Sequence, residues 1–319
     1  MATELAGSAI AAVRSAFGTH AGRRALHAKG AWAAGELTAT PAGTALCRAP
    51  FLDGTPVRAV VRFSHGSGDP LVHDGGRAGR GIAVKLFLPD GSRVDLLGIT
   101  SPAFPVRRPE DFIEFVEATR RDPDTGAPDL AKVGAFVAAH PESLTAIQAA
   151  PMTPPPASYL SVVYNGIHSF RWTAPDGTQP GRRVPASGPV QHWVRTRWVP
   201  KAVETLEDAD AMSRDPDYLA ADLRERIKPG AATMTLVARI AADGDPIDDP
   251  TVAWPEERES VEVAHLVLHK AIEDPETASD IRVFDPTRVG EGIELSDDPI
   301  LAFRRDAYDV SARGRWSGP

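Results

Sequence analysis

GIAVKLFLPDGSRVDLLGIT, residues 81–100, decides the fold. Two apolar runs, 81–88 and 94–100, flank a Pro-Asp-Gly turn at 89–91. Strands joined by so short a turn pair antiparallel, because a parallel partner needs a crossover of a dozen or more residues. VRAVVRF (57–63) lies upstream of this hairpin, and TMTLVARIA (233–241) and EVAHLVLHK (262–270) lie downstream. SYLSVVY and IHSFRWT are expected to pair across Asn165-Gly166, a strong short hairpin signal. ALHAKGAWAAGELTAT (25–40) is punctuated by glycine and strand-like towards its end. Strands linked by tight turns argue for an antiparallel sheet, and this many argue for a closed barrel.

Helices are inserted or appended, so the class is α+β. Leu5, Ile10, Val13 and Phe17 form one stripe, which predicts an N-terminal helix within residues 1–20. Further helices are expected at 108–121, opened by Pro109, at 129–140 and at 217–227, with a last one starting near Pro299. There is no internal repeat or low-complexity linker, and the reading is one domain over 1–319.

Composition narrows the function. A net charge of −8 argues against nucleic-acid or anionic-membrane partners. No apolar run approaches the roughly 20 residues that span a bilayer. The N-terminus lacks the features of a signal peptide. One cysteine, Cys47, fits a reducing compartment, which predicts a cytoplasmic protein. Cys47 has no supporting ligand motif and reads as a small core residue.

The chemistry concentrates in SDDPILAFRRDAYDVSARGR, residues 296–315. On a helix Arg304 and Tyr308 stack at i and i+4, and Arg315 lies two turns further along. A guanidinium held against a phenol oxygen favours the phenolate, and a phenolate is a hard anionic ligand suited to ferric iron. The same pattern fits an amphipathic terminal helix with a half-buried tyrosine.

FDPTRVGEGIELSDDPILAFRRDAY (Phe284 to Tyr308) resembles the proximal segment of haem catalases, FDP…GIE-S-x-D…R-x-x-x-Y. The resemblance implies that Tyr308 ligates haem iron, the ligation type of catalases, and that Arg304 stabilises the tyrosinate. RALHAKGAWAAGEL (24–37) is similar to the family's R-x-x-H-A-K-G-x-x-x-x-G, which implies His27 as the distal acid–base. VRFS (61–64) implies that Ser64 orients His27. Arg24, Arg62 and Arg315 fall where the family pairs with haem propionates. Phe112 falls where it stacks a phenylalanine on the ring. His168 and Asp298 would join the cofactor set by extending the Arg304–Tyr308 relay.

The resemblance covers roughly residues 20–316 and is nearest to the small catalase-related peroxidases. It implies a catalase-like antiparallel β-barrel around a buried haem b. No NADPH is expected, because the elements that bind it in catalases are absent. The shortened chain predicts a homo-oligomer, with a dimer favoured. Three departures bear on activity: Ile99 stands where catalases carry the distal Asn, Ala78 where they carry a channel Asp, and Leu26 where a Val precedes the distal His. The expectation is a peroxidase that takes hydrogen peroxide or organic hydroperoxides and small organic electron donors, with weak or no catalase activity. A minimal true catalase, a fatty-acid hydroperoxide rearranging enzyme of the allene oxide synthase type and a non-catalytic haem-binding barrel are the alternatives.

Overall fold

The computed structural model describes residues 2–122, 124–175, 190–228, 232–275 and 281–316. In chain order the elements begin with α1 (Ala2–Phe17), β1 (Gly30–Ala39), α2 (Pro41–Leu46), β2 (Val57–His65), β3 (Arg80–Phe87) and β4 (Arg93–Ile99). Next come α3 (Asp111–Ala118), α4 (Leu130–Ala139), α5 (Leu144–Met152), β5 (Tyr164–Asn165), β6 (Phe170–Thr173) and β7 (Gln191–Pro200). The chain then forms α6 (Asp208–Met212), α7 (Tyr218–Ile227), β8 (Ala232–Ile240), β9 (Ser260–Ile272), β10 (Ile293–Leu295) and α8 (Pro299–Trp316).

All described strand pairs are antiparallel, as the 81–100 hairpin required. The order β7-β5-β4-β3-β2-β1-β9-β8 returns to β7, which closes an eight-stranded barrel, and β6 and β10 extend from β7. Closure leaves the barrel strands no unpaired edge.

Strand alternation gives the barrel two apolar faces. Val57, Ala59, Val61 and Phe63 of β2 point inward with Val84 and Leu86 of β3, against Leu266 and Trp198. Between them Val60 points outward, where Trp32, Ile281 and Phe284 cover it. The outer face of β1–β4 is therefore a second buried layer. A triad of charges fastens the covering segment. Lys85 Nζ donates to Asp95 Oδ1 at 2.5 Å, and Arg288 Nη1 and the Asp285 amide donate to Oδ2 at 2.5 and 2.9 Å.

The expected hairpin across Asn165-Gly166 does not form. Tyr159–Ser161 is a 3-10 turn capped by Ser158, and Tyr164–Asn165 pair with β4 and β7 instead of β6. The Gly166 amide donates to the Thr196 carbonyl at 2.7 Å, and a Cβ at Gly166 would stand 2.7 Å from Thr196 Oγ1. A glycine placed for close approach had been read as one placed for a turn. The partner strand, QHWVRTRWVP (191–200), was not expected, because Arg195 and Arg197 interrupt its apolar pattern. Arg195 is nonetheless buried, and donates to the carbonyls of Pro246, Asp249 and Val252. Helix α5 is also new, and it runs past Pro151 to Met152.

Gly35 has a sharper requirement. The β1–β9 register shifts between Ala34 and Gly35, and a Cβ on Gly35 would fall 2.0 Å from the Val267 carbonyl oxygen. Gly35→Val is expected to lower unfolding free energy by about 1–3 kcal/mol or to abolish folding. Urea unfolding of the purified variant checks this.

Candidate active site

The last helix carries the first half of the site. Pro299 supplies its opening φ without an N–H to satisfy. Asp298 caps it, with Oδ1 accepting from the Ile300 amide at 2.8 Å and the Leu301 amide at 3.3 Å. The other oxygen, Oδ2, accepts from His168 Nδ1 at 2.6 Å. Once Nδ1 carries the proton, His168 Nε2 is an acceptor, and Arg304 Nη1 donates to it at 2.8 Å. Burial lowers the His168 pKa, in keeping with this neutral tautomer. Arg304 then places Nε at 3.0 Å and Nη2 at 2.5 Å from the Tyr308 oxygen. Two charged N–H groups thus donate to one phenol oxygen, the acceptor role of a phenolate.

The barrel's outer face carries the second half. His27 lies in the loop before β1 at φ +55°, and is the one non-glycine residue with positive φ among the described residues. That conformation costs roughly 1–2 kcal/mol for a residue with a Cβ. Its Nδ1 lies 2.9 Å from Ser64 Oγ, and Ser64 Oγ lies 3.5 Å from the Gly81 carbonyl. The serine hydroxyl therefore has an acceptor of its own, and its oxygen can take Nδ1–H, which leaves the Nε2 lone pair available. Gly81 makes the room. A Cβ there would stand 2.9 Å from Ser64 Oγ and 3.0 Å from His27 Cε1. Burial, reinforced by Arg62, Arg304 and Arg24, pushes the His27 pKa down to about 3.

Both halves line one cavity of about 210 Å³. Arg24, Arg62, Ile99, Phe112 and Arg315 line it with His27, Ser64, Arg304 and Tyr308. Phe112 packs there among Phe104, Phe115 and Phe303, with ring centroids at 6.0, 6.1 and 6.4 Å. His168 and Asp298 are buried behind Arg304, off the cavity wall, so they reach any cofactor only through the relay. Thr100 is likewise off the wall, its hydroxyl accepting from the Arg80 amide at 3.0 Å.

Three contributors escaped the sequence reading. Arg282 lines the cavity, and its carbonyl accepts from Arg315 Nη2 at 2.8 Å and Arg24 Nη2 at 3.5 Å. Gly81 had been quoted only as part of a strand. Ile10 and Val13 of α1 close the cavity; their stripe was legible, but nothing in it says which surface it covers.

The donor set fits a haem. A guanidinium-bonded phenol oxygen and a neutral imidazole come from separate elements, Arg24, Arg62, Arg282 and Arg315 line the same cavity, and Arg24 and Arg62 lie over the rings of Phe284 and Trp32. Four guanidiniums at an otherwise apolar slot suit a flat hydrophobic group with carboxylates at one edge.

The site and barrel define a haem-catalase class of protein, and the comparisons agree. The catalase family model matches residues 19–319, so this chain belongs to the catalase family. It is 38% identical to a catalase-related peroxidase of Mycolicibacterium paratuberculosis, covering 96% of this chain and 93% of that one. It is 32% identical to a catalase-related peroxidase of Synechococcus elongatus, covering 97% and 88%. A solved bacterial catalase matches with a TM-score of 0.78 at 23% identity, over 93% of this chain and 58% of that one.

Two lowered histidines give a signed pH dependence. His65 is also buried, with its pKa pushed down to about 2 by burial and then by Arg80. Each of these two histidines takes a proton more readily unfolded than folded, so stability is expected to fall as pH drops from about 6.5 towards 3. Histidine NMR of the cofactor-free protein should show His27 neutral at pH 5, where an exposed histidine is protonated.

Proposed function

We propose that this chain is a haem b peroxidase that reduces hydrogen peroxide or organic hydroperoxides at the expense of small organic electron donors, with little dismutation. The observation that carries the reading is one cavity lined by the Arg304-bonded Tyr308 and the Ser64-bonded His27. Tyr308 would hold the iron, and the arginines at the Phe284 end would hold the propionates. When bound, the haem supplies the iron that binds peroxide and stores its two oxidising equivalents.

The protein's own groups do the rest. His27, neutral because it is buried among cations, takes a proton from peroxide at Nε2 and returns it to the leaving oxygen. Ser64 holds Nδ1 and so keeps the lone pair on Nε2. Arg304 donates two N–H groups to the Tyr308 oxygen while His168 and Asp298 hold the guanidinium in place. Per turnover, one hydrogen peroxide and two one-electron donors with two protons give two waters and two oxidised donors.

Ile99 directs the second half of the reaction. It lines the cavity with His27 but offers neither donor nor acceptor. A second peroxide held there would leave polar groups unpaired, at a cost of about 1–3 kcal/mol. Organic donors, which need only the cavity's edge, escape that penalty.

Further points of the reading are assembly and location. The acidic balance and single cysteine support a cytoplasmic protein, taken here as a homodimer. No helix among the described residues is long and apolar enough to cross a membrane.

Two variants test the function. Tyr308→Phe is expected to lose the haem-bound visible spectrum, and a variant with the wild-type spectrum refutes the ligand. Ile99→Asn is expected to raise oxygen evolution from hydrogen peroxide about tenfold to a hundredfold. Phenolic donor oxidation should stay near its starting rate. Vigorous oxygen release by the unmutated protein would overturn the peroxidase reading.

A further inference from the structure

Arg62 lies in the same cavity wall as the other arginines, but its bonds differ from theirs. Its Nη2 donates to the His27 carbonyl at 2.7 Å and to the Ala28 carbonyl at 3.4 Å. Arg24 and Arg315 donate instead to the carbonyl of Arg282. We propose that Arg62 is a positioning residue that holds the His27–Ala28 backbone, and with it the imidazole, in the left-handed conformation.

A left-handed residue with a Cβ persists only where its surroundings over-determine it. Strand β2 supplies two of the constraints. Arg62 and Ser64 are two residues apart and so share the outward face. Ser64 grips the ring at Nδ1 while Arg62 grips the carbonyl at the other end of the same residue. Among the described residues, no other side chain bonds to the His27 carbonyl. The Ala28 amide, the N–H of that same planar peptide, donates to the Ser67 carbonyl at 3.0 Å from the opposite side.

The guanidinium is itself held in place. Its Cζ lies 5.5 Å from the Trp32 ring centroid, and Arg62 and Trp32 are both buried. Gly30 keeps the space it needs, since a Cβ there would stand 2.8 Å from Arg62 Cζ and 2.5 Å from the Phe63 carbonyl oxygen. Both contacts come from one nitrogen, Nη2, of a planar guanidinium that also lies beside the indole.

Hydrogen exchange of the cofactor-free protein reads the clamp without any assumption about activity. Arg62→Met is expected to speed exchange at the Ala28 amide about tenfold to a hundredfold, the weight of one charge-assisted hydrogen bond. Arg315→Met, on the same cavity wall, should leave that amide at its wild-type rate. An unchanged Ala28 rate in Arg62→Met overturns the proposal. Should that variant not fold, Arg62→Lys carries the same test, with an intermediate rate expected.

A second arm rests on the reading of His27 as distal base. In the haem-loaded protein, cyanide must give up its proton to that base, so Arg62→Met should slow cyanide association by about tenfold to a hundredfold. Partial recovery in Arg62→Lys is expected. Faster Ala28 exchange with unchanged cyanide association overturns the positioning of the imidazole and leaves Arg62 a clamp on the backbone alone.

Discussion

The site depends on the two oxygens of one carboxylate. Asp298 spends Oδ1 on the first turn of α8 and Oδ2 on His168. Both bonds require α8 to begin where it does, because a cap reaches only the N–H groups of the first turn. Tyr308 lies ten residues beyond Asp298, about 15 Å along the axis at 1.5 Å per residue. The helix start and the tyrosine's hydrogen bonds are thus fixed by one group. Removing the carboxylate would release the cap, leave His168 Nδ1 buried without its partner, and let Arg304 drift from the phenol oxygen.

The barrel matters to function mainly through its outside. One strand, β2, sends Val61 and Phe63 into the core and Arg62 and Ser64 into the cavity. Each strand residue is therefore committed to one face by parity alone. Because the barrel is closed, that parity cannot drift by register slippage without breaking the ring. The outer layer then needs its own fastening, which the Lys85–Asp95–Arg288 triad provides. A fully buried lysine and aspartate gain little net stability over an apolar pair of the same shape. Their geometry is specific, however: it fixes the 283–288 segment, and so Phe284, at the arginine-rich end of the cavity.

How far all this was legible depended on the range of the forces involved. Arg304 and Tyr308 are one helical turn apart, and the hairpin at 81–100 closes locally, so both could be read from neighbouring residues. His27 and Ser64 are distant in sequence and were read through motif resemblance, with the loop's backbone strain invisible until φ was known. Asn165-Gly166 failed because a local turn preference competes with a ladder to β7, twenty-five and more residues downstream. Strand β7 itself was hidden because the partners of Arg195 are carbonyls of a distant loop. The stripe of α1 was legible but its place over the cavity was not, since an apolar stripe does not name its partner surface.

Two buried histidines separate into two roles by what their nitrogens touch. Burial lowers the pKa of both, reinforced at His27 by Arg62, Arg304 and Arg24, and opposed at His168 by the Asp298 carboxylate. His168 has both nitrogens occupied, one by Asp298 and the other by Arg304. A proton leaving its Nδ1 would have to pass to Asp298, which already caps α8, and a proton arriving at Nε2 would displace Arg304 from it. It conveys charge and position without shuttling protons. His27 is held at Nδ1 by a serine that has its own acceptor in the Gly81 carbonyl. Its Nε2 can therefore gain and lose a proton without breaking any contact that holds the ring, the condition a repeated acid–base group must meet.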